Sequence, residues 1–301
     1  MTIAVKLSGG LGNQLFQLCF SYSLHLYSSK KVFLDIGMYD SSSRAHFSDL
    51  ILNPNEVFEI GYFSTGKDIS SLFRREHKVK MKTLASKRYQ IEKSQSLKVF
   101  NENYRQYIPN LHHLDNTYFI GTFASFKYWV SGFKITLDWA KSIMHEMNLL
   151  IPESPIYDLS VHARRGDYVN SPKTRAFHGY CGTSYFQEAF RAIKSKDSSI
   201  KSVIISSDDF IYANELAKIA NRYFTEVSVL KEESALSALL QLSQSRSFIG
   251  SNSTFSWWAG YLSPKEARIF PSRWYVSDRI NFSTDLLFPD SPILIPIELS
   301  R

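Results

Sequence analysis

The sequence predicts an α/β protein with two domains, each built around a parallel sheet. At 301 residues the chain is long for a single compact core. It opens with a strand, a glycine turn, a helix and a second strand, which is the order of a βαβ unit. The second half alternates apolar strands with helices, a pattern that is typical of a doubly wound parallel sheet.

The first half contains fewer regular elements than the second. The predicted elements are a strand at residues 3–7, a glycine turn at 8–14 followed by a buried helix, strands at 31–36 and 118–123, and a helix at 136–149. Residues 40–110 are polar and irregular. Pro152 and Pro155 then mark the best domain boundary, so the predicted domains are residues 1–155 and 156–301.

The second half alternates regularly. The predicted strands are 156–161, 202–206, 227–230, 248–250 and 268–270, and the predicted helices are 185–193, 214–222, 234–245 and 255–262. Parallel strands joined by helices bring their carboxyl ends to one edge of the sheet, where such folds bind ligands. Polar residues at that edge are therefore the first candidates for a site.

Composition favours a globular protein of a reducing compartment. Cys19 and Cys181 cannot make a disulfide framework. The first residues read as a strand rather than a signal peptide, and no run reaches about 18 apolar residues. We therefore expect a cytoplasmic protein.

The formal charge of +7 comes from one part of the chain. Residues 71–100 hold nine Lys and Arg against two Glu, which accounts for the whole excess. This basic segment, residues 74–98, suits either an anionic membrane surface or a solvated helix face. No nucleic-acid-binding module accompanies the charge, so nucleic acid is not an expected partner.

Three strand ends in the second half carry clusters of polar residues. They are His162, Arg164, Arg165 and Asp167; then Asp208 and Asp209; then Asn252, Ser253 and Thr254, with Phe255 opening a helix. Guanidinium forks suit a diphosphate, and the amides and hydroxyls at a helix start can seat a phosphate. A carboxylate can accept hydrogen bonds from a base edge or a ribose hydroxyl. Together the clusters predict a nucleoside-diphosphate site.

A metal site and a dinucleotide site are the alternatives to a nucleoside-diphosphate site. Adjacent carboxylates at Asp208 and Asp209 would point to opposite sides of an extended chain, which is poor geometry for a metal, so no metal is expected. Gly10 and Gly12, with Asp35 at the end of the next strand, partly match a dinucleotide fingerprint, but Leu15 stands at the third glycine position. A turn lined by amide side chains for a hydroxyl-rich or phosphorylated ligand fits better.

Aromatic residues and histidines of the second half leave alternatives open. Trp257 and Trp258 suit either a core plug or stacking against a sugar. His178 and Cys181 have the spacing of a metal-ligand pair, but no second pair accompanies them. A loop with a buried thiol is the simpler interpretation.

Four segments resemble one known family when they are taken in order. They are GGLGNQLFQ at 9–17, HARRGDYV at 162–169, SSDD at 206–209 and SNSTFSWWAGYL at 251–262. They resemble the bacterial α-1,2-fucosyltransferases of glycosyltransferase family 11, and the resemblance covers nearly the whole chain. The family pattern has Ile or Val between His and Arg, where this chain has Ala163.

The resemblance implies a fold, a reaction and a setting. The fold is of the GT-B type, with two Rossmann-like domains and a cleft between them. The amino-terminal domain would lie on the acceptor side and the carboxy-terminal domain would bind GDP-fucose. The reaction is the transfer of fucose from GDP-β-L-fucose to the 2-hydroxyl of a galactoside, with inversion and without a metal or cofactor. The acceptor would be a galactose-terminated, lipid-linked glycan such as an O-antigen unit of lipopolysaccharide, and the basic segment would hold the enzyme at the inner face of the membrane.

The resemblance also implies roles for individual residues. Arg164 would bind the β-phosphate. His162 and Asp208 or Asp209 would lie near the guanosine, Ser253 and Thr254 at the diphosphate, and Asn13 would reach it from the amino-terminal domain. Further donor-binding candidates from the same clusters and turns are Asn252, Phe255, Gly10 and Arg165, and Arg165 has a structural role within its domain as the alternative. The candidates for acceptor binding are Asp35, His178 and Trp257.

An inverting transfer also needs a base at the acceptor hydroxyl. Asp167 is the first candidate because it lies close in sequence to the phosphate arginines, and His178 and Asp35 are the alternatives. Three other functions compete with this reading. They are a GDP-sugar transferase of another kind, such as an α-1,6 or protein O-fucosyltransferase, a non-catalytic nucleotide-binding module, and a dinucleotide oxidoreductase.

Overall fold

The computed structural model describes residues 3–35, 58–61, 98–102, 107–129, 138, 155–231, 234–276 and 284–296. The chain forms two compact units, Met1–Ile143 and Met144–Arg301. The described strands of each unit form one parallel sheet. Of the helix predicted over residues 136–149, only Asp138 is described, and it is helical.

The first unit has a sheet in the order β3-β2-β1-β5-β4. Its elements are β1 Ile3–Lys6, α1 Leu11–Ser28, β2 Val32–Asp35, β3 Phe58–Gly61, β4 Lys98–Asn101 and β5 Thr117–Ile120, with short 3-10 turns at Leu111–His113 and Phe126–Tyr128. The predicted βαβ opening is confirmed. Strands β3 and β4 lie in the region predicted to be irregular, and both are edge strands of four residues, too short for a periodic pattern to stand out.

The second unit has a sheet in the order β11-β10-β9-β6-β7-β8. Its strands are β6 Tyr157–Ala163, β7 Ser202–Ser207, β8 Glu226–Val229, β9 Ser245–Gly250, β10 Ala267–Pro271 and β11 Ile293–Ile295. Its helices are α2 Gly166–Asn170, α3 Pro172–His178, α4 Thr183–Lys196, α5 Phe210–Ala220, α6 Ala235–Ser243 and α7 Thr254–Tyr261, with a 3-10 turn at Thr284–Leu286. The predicted alternation is confirmed, whereas α2, α3 and β11 were not predicted.

The central strand β6 is buried on both faces from Leu159 to Ala163, although Ser160 and His162 on one face are polar. Leu159 and Val161 are fully buried in one core with Phe186 and Phe190 of α4. Such burial fixes the strand firmly, and the residues that follow Ala163 therefore leave the sheet from a rigid support.

Trp257 and Trp258 of α7 are both fully buried. The Trp257 ring stacks on Tyr261 at 4.5 Å between centroids, and its indole nitrogen donates to the Leu287 carbonyl at 2.9 Å. The core interpretation of this pair is therefore confirmed. The assignment of Trp257 to acceptor binding is wrong, since no part of the residue reaches solvent in this unit.

No helix among the described residues is long and apolar enough to cross a membrane. The basic segment, residues 74–98, lies outside the described residues apart from Lys98 in β4.

Candidate active site

The three polar strand ends of the second unit lie side by side. Strand β6 is paired with β7 on one side and β9 on the other, and His162 is in register with both Ser206 and Gly250. The segments that follow these strands therefore meet at one edge of the sheet. This prediction from the sequence is confirmed.

Arg164 lies between two carboxylates at this edge. Its Nη2 donates to Asp167 Oδ1 at 2.5 Å, and its Nη1 is 2.7 Å from Asp208 Oδ2. Burial acts to lower the pKa of Arg164, but the charges of Asp208 and then Asp167 outweigh it, and the pKa is raised. The side chains of Arg164, Asp167 and Asp208 remain 33%, 28% and 29% exposed, respectively, so a ligand can reach them.

The backbone beside Arg164 is anchored to both neighbouring strand ends. The Arg164 amide donates to Ser251 Oγ at 2.9 Å, and the Arg165 amide donates to Asp208 Oδ1 at 2.7 Å. Gly166 has a φ of +21°, and a Cβ at this position would collide with the Asp208 carboxylate. The glycine in the RRGD turn thus allows Asp208 to approach the loop closely.

His162, near the end of β6, is hydrogen-bonded to the residues at the start of α7. The residue is 5% exposed, and its Nδ1 is 2.6 Å from Ser256 Oγ, which in turn is 3.0 Å from Ser251 Oγ. Burial, and secondarily the charge of Arg164, lowers the pKa of His162 to about 3. His162 is therefore a neutral, hydrogen-bonded residue, and its role in donor binding stays a prediction.

Arg165 and Asp209 both make contacts within their own unit. The Arg165 guanidinium lies over two rings, 4.6 Å from the centroid of Tyr180 and 4.1 Å from that of Tyr212. Asp209 is the N-cap of α5 and accepts from the Tyr212 amide at 3.1 Å. The contacts of Arg165 fit a structural role, and donor binding by Arg165 and Asp209 stays a prediction.

Helix α7 begins beside Arg164 and contains the third predicted cluster. Ser253 is its N-cap, with Oγ accepting from the Phe255 amide at 3.2 Å, and both Thr254 and Phe255 are partly exposed. Asn252 is fully buried and donates to the carbonyls of His178 and Trp274 at 2.9 and 3.1 Å. The assignment of Asn252 to donor binding is therefore wrong, because its side chain ties two loops together.

Tyr168 and His178 form a stacked pair next to the cluster. Their ring centroids are 4.5 Å apart with planes inclined by 17°. Burial lowers the pKa of His178 to about 4, although Asp167 acts in the opposite direction. His178 is thus neutral at pH 7, and its contact with an acceptor stays a prediction. Tyr168 was not predicted as a site residue, although its position directly after Asp167 could have indicated that it lies near the site.

The glycine turn of the first unit is held by glutamine side chains. Gln14 Nε2 donates to the Gly9 carbonyl at 3.1 Å, and Gln17 Nε2 donates to the Gly121 carbonyl at 2.7 Å. Gly10 is the exposed N-cap of α1, and Asn13 lies against Gly9, whose φ is +80°. Gln14 thus faces the turn, whereas ligand binding by the amide side chains, and donor binding by Gly10 and Asn13, stay predictions.

Asp35 is at the carboxyl end of β2 and is 5% exposed. Its Oδ2 accepts from the Tyr118 hydroxyl at 2.5 Å, and burial together with this carboxylate raises the pKa of Tyr118. The carboxylate is thus engaged within its own sheet, and its role toward an acceptor stays a prediction. Over the described ranges, no three His, Cys, Asp or Glu side chains come together in a group that could hold a metal ion.

Comparison with known families decides the kind of protein to which this site belongs. The model of glycosyl transferase family 11 matches residues 2–286. The chain belongs to glycosyl transferase family 11. It is 24% identical over 292 residues to an alpha-1,2-colitosyltransferase of Escherichia coli, an alignment that covers 93% of this chain and 94% of the relative. It is 34% identical over 122 residues to the O-antigen biosynthesis glycosyltransferase WbnK of Escherichia coli, with 40% and 39% of the two chains covered.

The family 11 chain also resembles a solved structure. A mutant of Arabidopsis thaliana FUT1 in complex with GDP superposes with a TM-score of 0.52 at 11% identity, covering 93% of this chain and 71% of that one. This likeness confirms the predicted GT-B fold class. The family 11 chain is thus a glycosyltransferase with two units, each built on a parallel sheet.

The geometry suits the chemistry of a family 11 glycosyltransferase. Glycosyl transfer from a nucleotide sugar leaves negative charge on the departing phosphate. A guanidinium that is fixed at the point where this charge develops stabilises the transition state. In the second unit, Arg164 is held between two carboxylates and remains partly exposed.

Proposed function

We propose that this glycosyltransferase moves L-fucose from GDP-β-L-fucose to the 2-hydroxyl of a galactoside, with inversion at the anomeric carbon. The observation that carries the proposal is the fixed Arg164 fork between Asp167 and Asp208, beside the start of α7. The FUT1 structure of the same fold binds GDP, and the family consists of glycosyltransferases. Both support a GDP-sugar as the donor.

The mechanism we propose uses Arg164 as the group that stabilises the leaving diphosphate. Fucosyl transfer passes through an oxocarbenium-like state as negative charge develops on GDP. The two Nη atoms can donate to phosphate oxygens once the ligand replaces one or both carboxylates. The N-terminus of α7, where Thr254 and Phe255 are partly exposed, lies at the same edge and favours negative charge.

The base in this mechanism is Asp167, with His178 as the alternative. When a diphosphate takes over Arg164, the Asp167 carboxylate loses its hydrogen-bond donor and becomes a better proton acceptor. His178 is neutral at pH 7 and can also accept a proton. We place Asp167 first because it contacts Arg164 directly.

The proposal is tested with GDP-fucose and a panel of galactose, lactose, Galβ1,3GalNAc and Galβ1,4GlcNAc. We expect GDP release and an α-1,2-linked product with at least one acceptor, in the presence and absence of EDTA. Arg164→Ala is expected to lower turnover by about 10²–10³-fold. The control is Arg191→Ala, which removes an exposed arginine paired with Glu188 on α4. Loss of activity in EDTA would overturn the metal-free mechanism, and full activity of Arg164→Ala would overturn the role of Arg164.

A second candidate donor is GDP-colitose, because the relative that aligns over 93% of this chain is an alpha-1,2-colitosyltransferase. Colitose differs from fucose in lacking the 3-hydroxyl. A site that hydrogen-bonds this hydroxyl discriminates strongly against the deoxy sugar, whereas an apolar site discriminates weakly. Competition between equal concentrations of the two donors, read by mass spectrometry of the product, decides between them.

Other outcomes of the same assay would point to the remaining functions. Linkage analysis that gives an α-1,6 product, or transfer to protein only, would replace the proposal by another fucosyltransferase activity. Binding of GDP without release of GDP from GDP-fucose for any galactoside would indicate a non-catalytic module. Binding of NAD or a flavin at the glycine turn of the first unit would indicate an oxidoreductase.

The cellular setting we propose is the assembly of an O-antigen unit on a lipid carrier, supported by the name of the second relative. The basic segment, residues 74–98, would hold the enzyme at an anionic membrane surface. Replacing its Lys and Arg by Gln should abolish sedimentation with anionic vesicles at low salt. Unchanged sedimentation would refute the membrane part of the proposal alone.

A further inference from the structure

Arg165 follows Arg164 directly but serves the fold in a different way. Its side chain is 16% exposed, and its Nε is buried without a hydrogen-bond partner among the described residues. The nearest carboxylate, Asp209 Oδ2, is 3.9 Å from Nε, too far for a hydrogen bond. The contacts that compensate for this burial are the two tyrosine rings.

The two rings belong to different parts of the helical layer. Tyr180 lies between α3 and α4, and Tyr212 is in the first turn of α5. The Arg165 guanidinium is 4.6 and 4.1 Å from their centroids. Contacts of this kind stabilise a desolvated guanidinium, and a compact ammonium on a lysine stem cannot reproduce its contacts with two rings at once. We define these three residues as the tyrosine clamp.

The tyrosine clamp adds a side-chain attachment to a two-residue segment whose backbone is already bonded. The Arg164 amide is held by Ser251 and the Arg165 amide by Asp208, and the Arg165 carbonyl accepts from the Val169 amide of α2 at 3.0 Å. These bonds fix where the backbone lies, but they leave the Arg165 side chain free to turn about its own bonds. The clamp removes that freedom because it holds the side chain of Arg165 in the helical layer. The Arg164 side chain is then left at the sheet edge.

We propose that Arg165 is a positioning residue that orients Arg164 toward the donor diphosphate through the tyrosine clamp. This inference rests on the proposed function in so far as the ligand is GDP. A different role for the same residue would be direct binding of phosphate after the side chain leaves the rings. The two roles make opposite predictions for the tyrosines.

The test is a double-mutant cycle with Arg165→Lys, Tyr212→Leu and the combined variant. The dissociation constant of GDP, kcat, KM and the thermal midpoint are measured for each, and crystal structures give the Arg164–Asp208 distance. We expect each single variant to lower kcat by about 10- to 10²-fold, since small displacements of a positioned group have effects of this size. The combined variant is expected to be no slower than the slower single variant, because both changes remove one shared interaction.

Conservative variants separate positioning from general stability. Tyr212→Phe retains the ring and is expected to restore kcat relative to Tyr212→Leu. Arg191→Lys, an exposed arginine on α4, is the matched control for the Arg-to-Lys change. Should Tyr212→Leu fail to fold, Tyr180→Leu replaces it, because Tyr180 is only partly buried.

Three results would overturn the inference. The first is a weaker GDP complex in Arg165→Lys with unchanged or tighter GDP binding in Tyr212→Leu, which would indicate direct phosphate binding. The second is a lower thermal midpoint with wild-type kcat in the folded fraction, which would indicate a purely structural role. The third is an unchanged distance of 2.7 Å between Arg164 Nη1 and Asp208 Oδ2 in the variant crystals. This last measurement needs neither GDP nor an acceptor, so it decides the inference even if the wild-type protein transfers no fucose.

Discussion

Arg164 pairs with two carboxylates in the free protein, and a phosphate ligand must compete with them. Asp167 and Asp208 are both about 30% exposed on their side chains, so solvent screens their attraction for the guanidinium. Asp208 also accepts from the Arg165 amide and is therefore part of the loop structure. Asp167 has no such backbone contact among the hydrogen bonds of the described residues, and it is the carboxylate that a ligand can displace more easily.

Asp167→Asn should bind GDP more tightly and turn over more slowly. The neutral amide competes less well for Arg164, and an exposed pair of this kind is worth up to about 1 kcal/mol, or about fivefold in affinity. Loss of the proposed base lowers kcat by about 10²-fold. Calorimetry with GDP and initial rates check the two effects, with Asp115→Asn, an exposed carboxylate of the first unit, as the control. Weaker GDP binding together with normal kcat would show that Asp167 binds the donor instead.

At the scale of elements, Asn252 joins two segments that flank the site. Its amide nitrogen donates to the end of α3, at His178, and to the segment after β10, at Trp274. Its oxygen is 3.6 Å from the buried Cys181 thiol. One fully buried side chain thus holds the loop that carries His178 against the start of α7.

Asn252→Ala should lower the free energy of unfolding by about 3 kcal/mol, because two buried carbonyls lose their donors. For a chain of this size the thermal midpoint would fall by about 5–10 °C. Differential scanning calorimetry measures the shift. The control is Asn214→Ala at an exposed position of α5, where the amide nitrogen donates to the Phe210 carbonyl, and it should lower the thermal midpoint by less than about 2 °C. Equal shifts for both variants would contradict the structural role of Asn252.

The elements of the second unit could be predicted where they form long apolar or periodic runs, such as the seven residues of β6 and the fourteen of α4. In the first unit, β1 and β2 have four residues each and could be predicted because three of the four are apolar. The edge strands β3 and β4 have the same length but only two apolar residues each, so no strand pattern stands out. Short strands of this kind are defined by pairing with a neighbour, which the local sequence does not record.

The location of the candidate site could be predicted from the topology, but the directions of its side chains could not. Parallel strands necessarily bring His162, Asp208 and Ser253 to one edge. Whether a residue at that edge faces solvent or the helical layer depends on partners far away in sequence. Arg165 turns to Tyr212, and Asn252 turns to Trp274. These long-range contacts explain why the local sequence does not record the directions of the Arg165 and Asn252 side chains.

At the scale of the whole molecule, two buried histidines link stability to pH. Burial lowers the pKa of His162 to about 3 and that of His178 to about 4, against about 6.5 in an unfolded chain. Both folded pKa values are depressed, so the unfolded state binds more protons below pH 6.5. Their contribution to stability is complete above that pH and is lost as the pH falls toward 4 and 3.

We therefore expect the free energy of unfolding to fall by up to about 1.4 kcal/mol per pH unit for each histidine between pH 6 and pH 4. Urea unfolding at several pH values measures this slope. His178→Gln should reduce the slope by the share of one histidine, whereas His113→Gln, an exposed histidine of the first unit, should leave it unchanged. A slope in His178→Gln equal to that of the wild type would contradict the burial of a neutral His178.

The carboxylates around Arg164 also affect which anions can bind to it. A counter-ion built into the chain acts at an effective concentration of about millimolar or higher, so dilute anions cannot displace it. Orthophosphate offers one small group to a guanidinium that already has two partners. A nucleoside diphosphate would add contacts along its whole length, which we expect to offset the loss of the internal ion pairs. We therefore expect inorganic phosphate to compete poorly for Arg164, and turnover to persist in phosphate-rich surroundings.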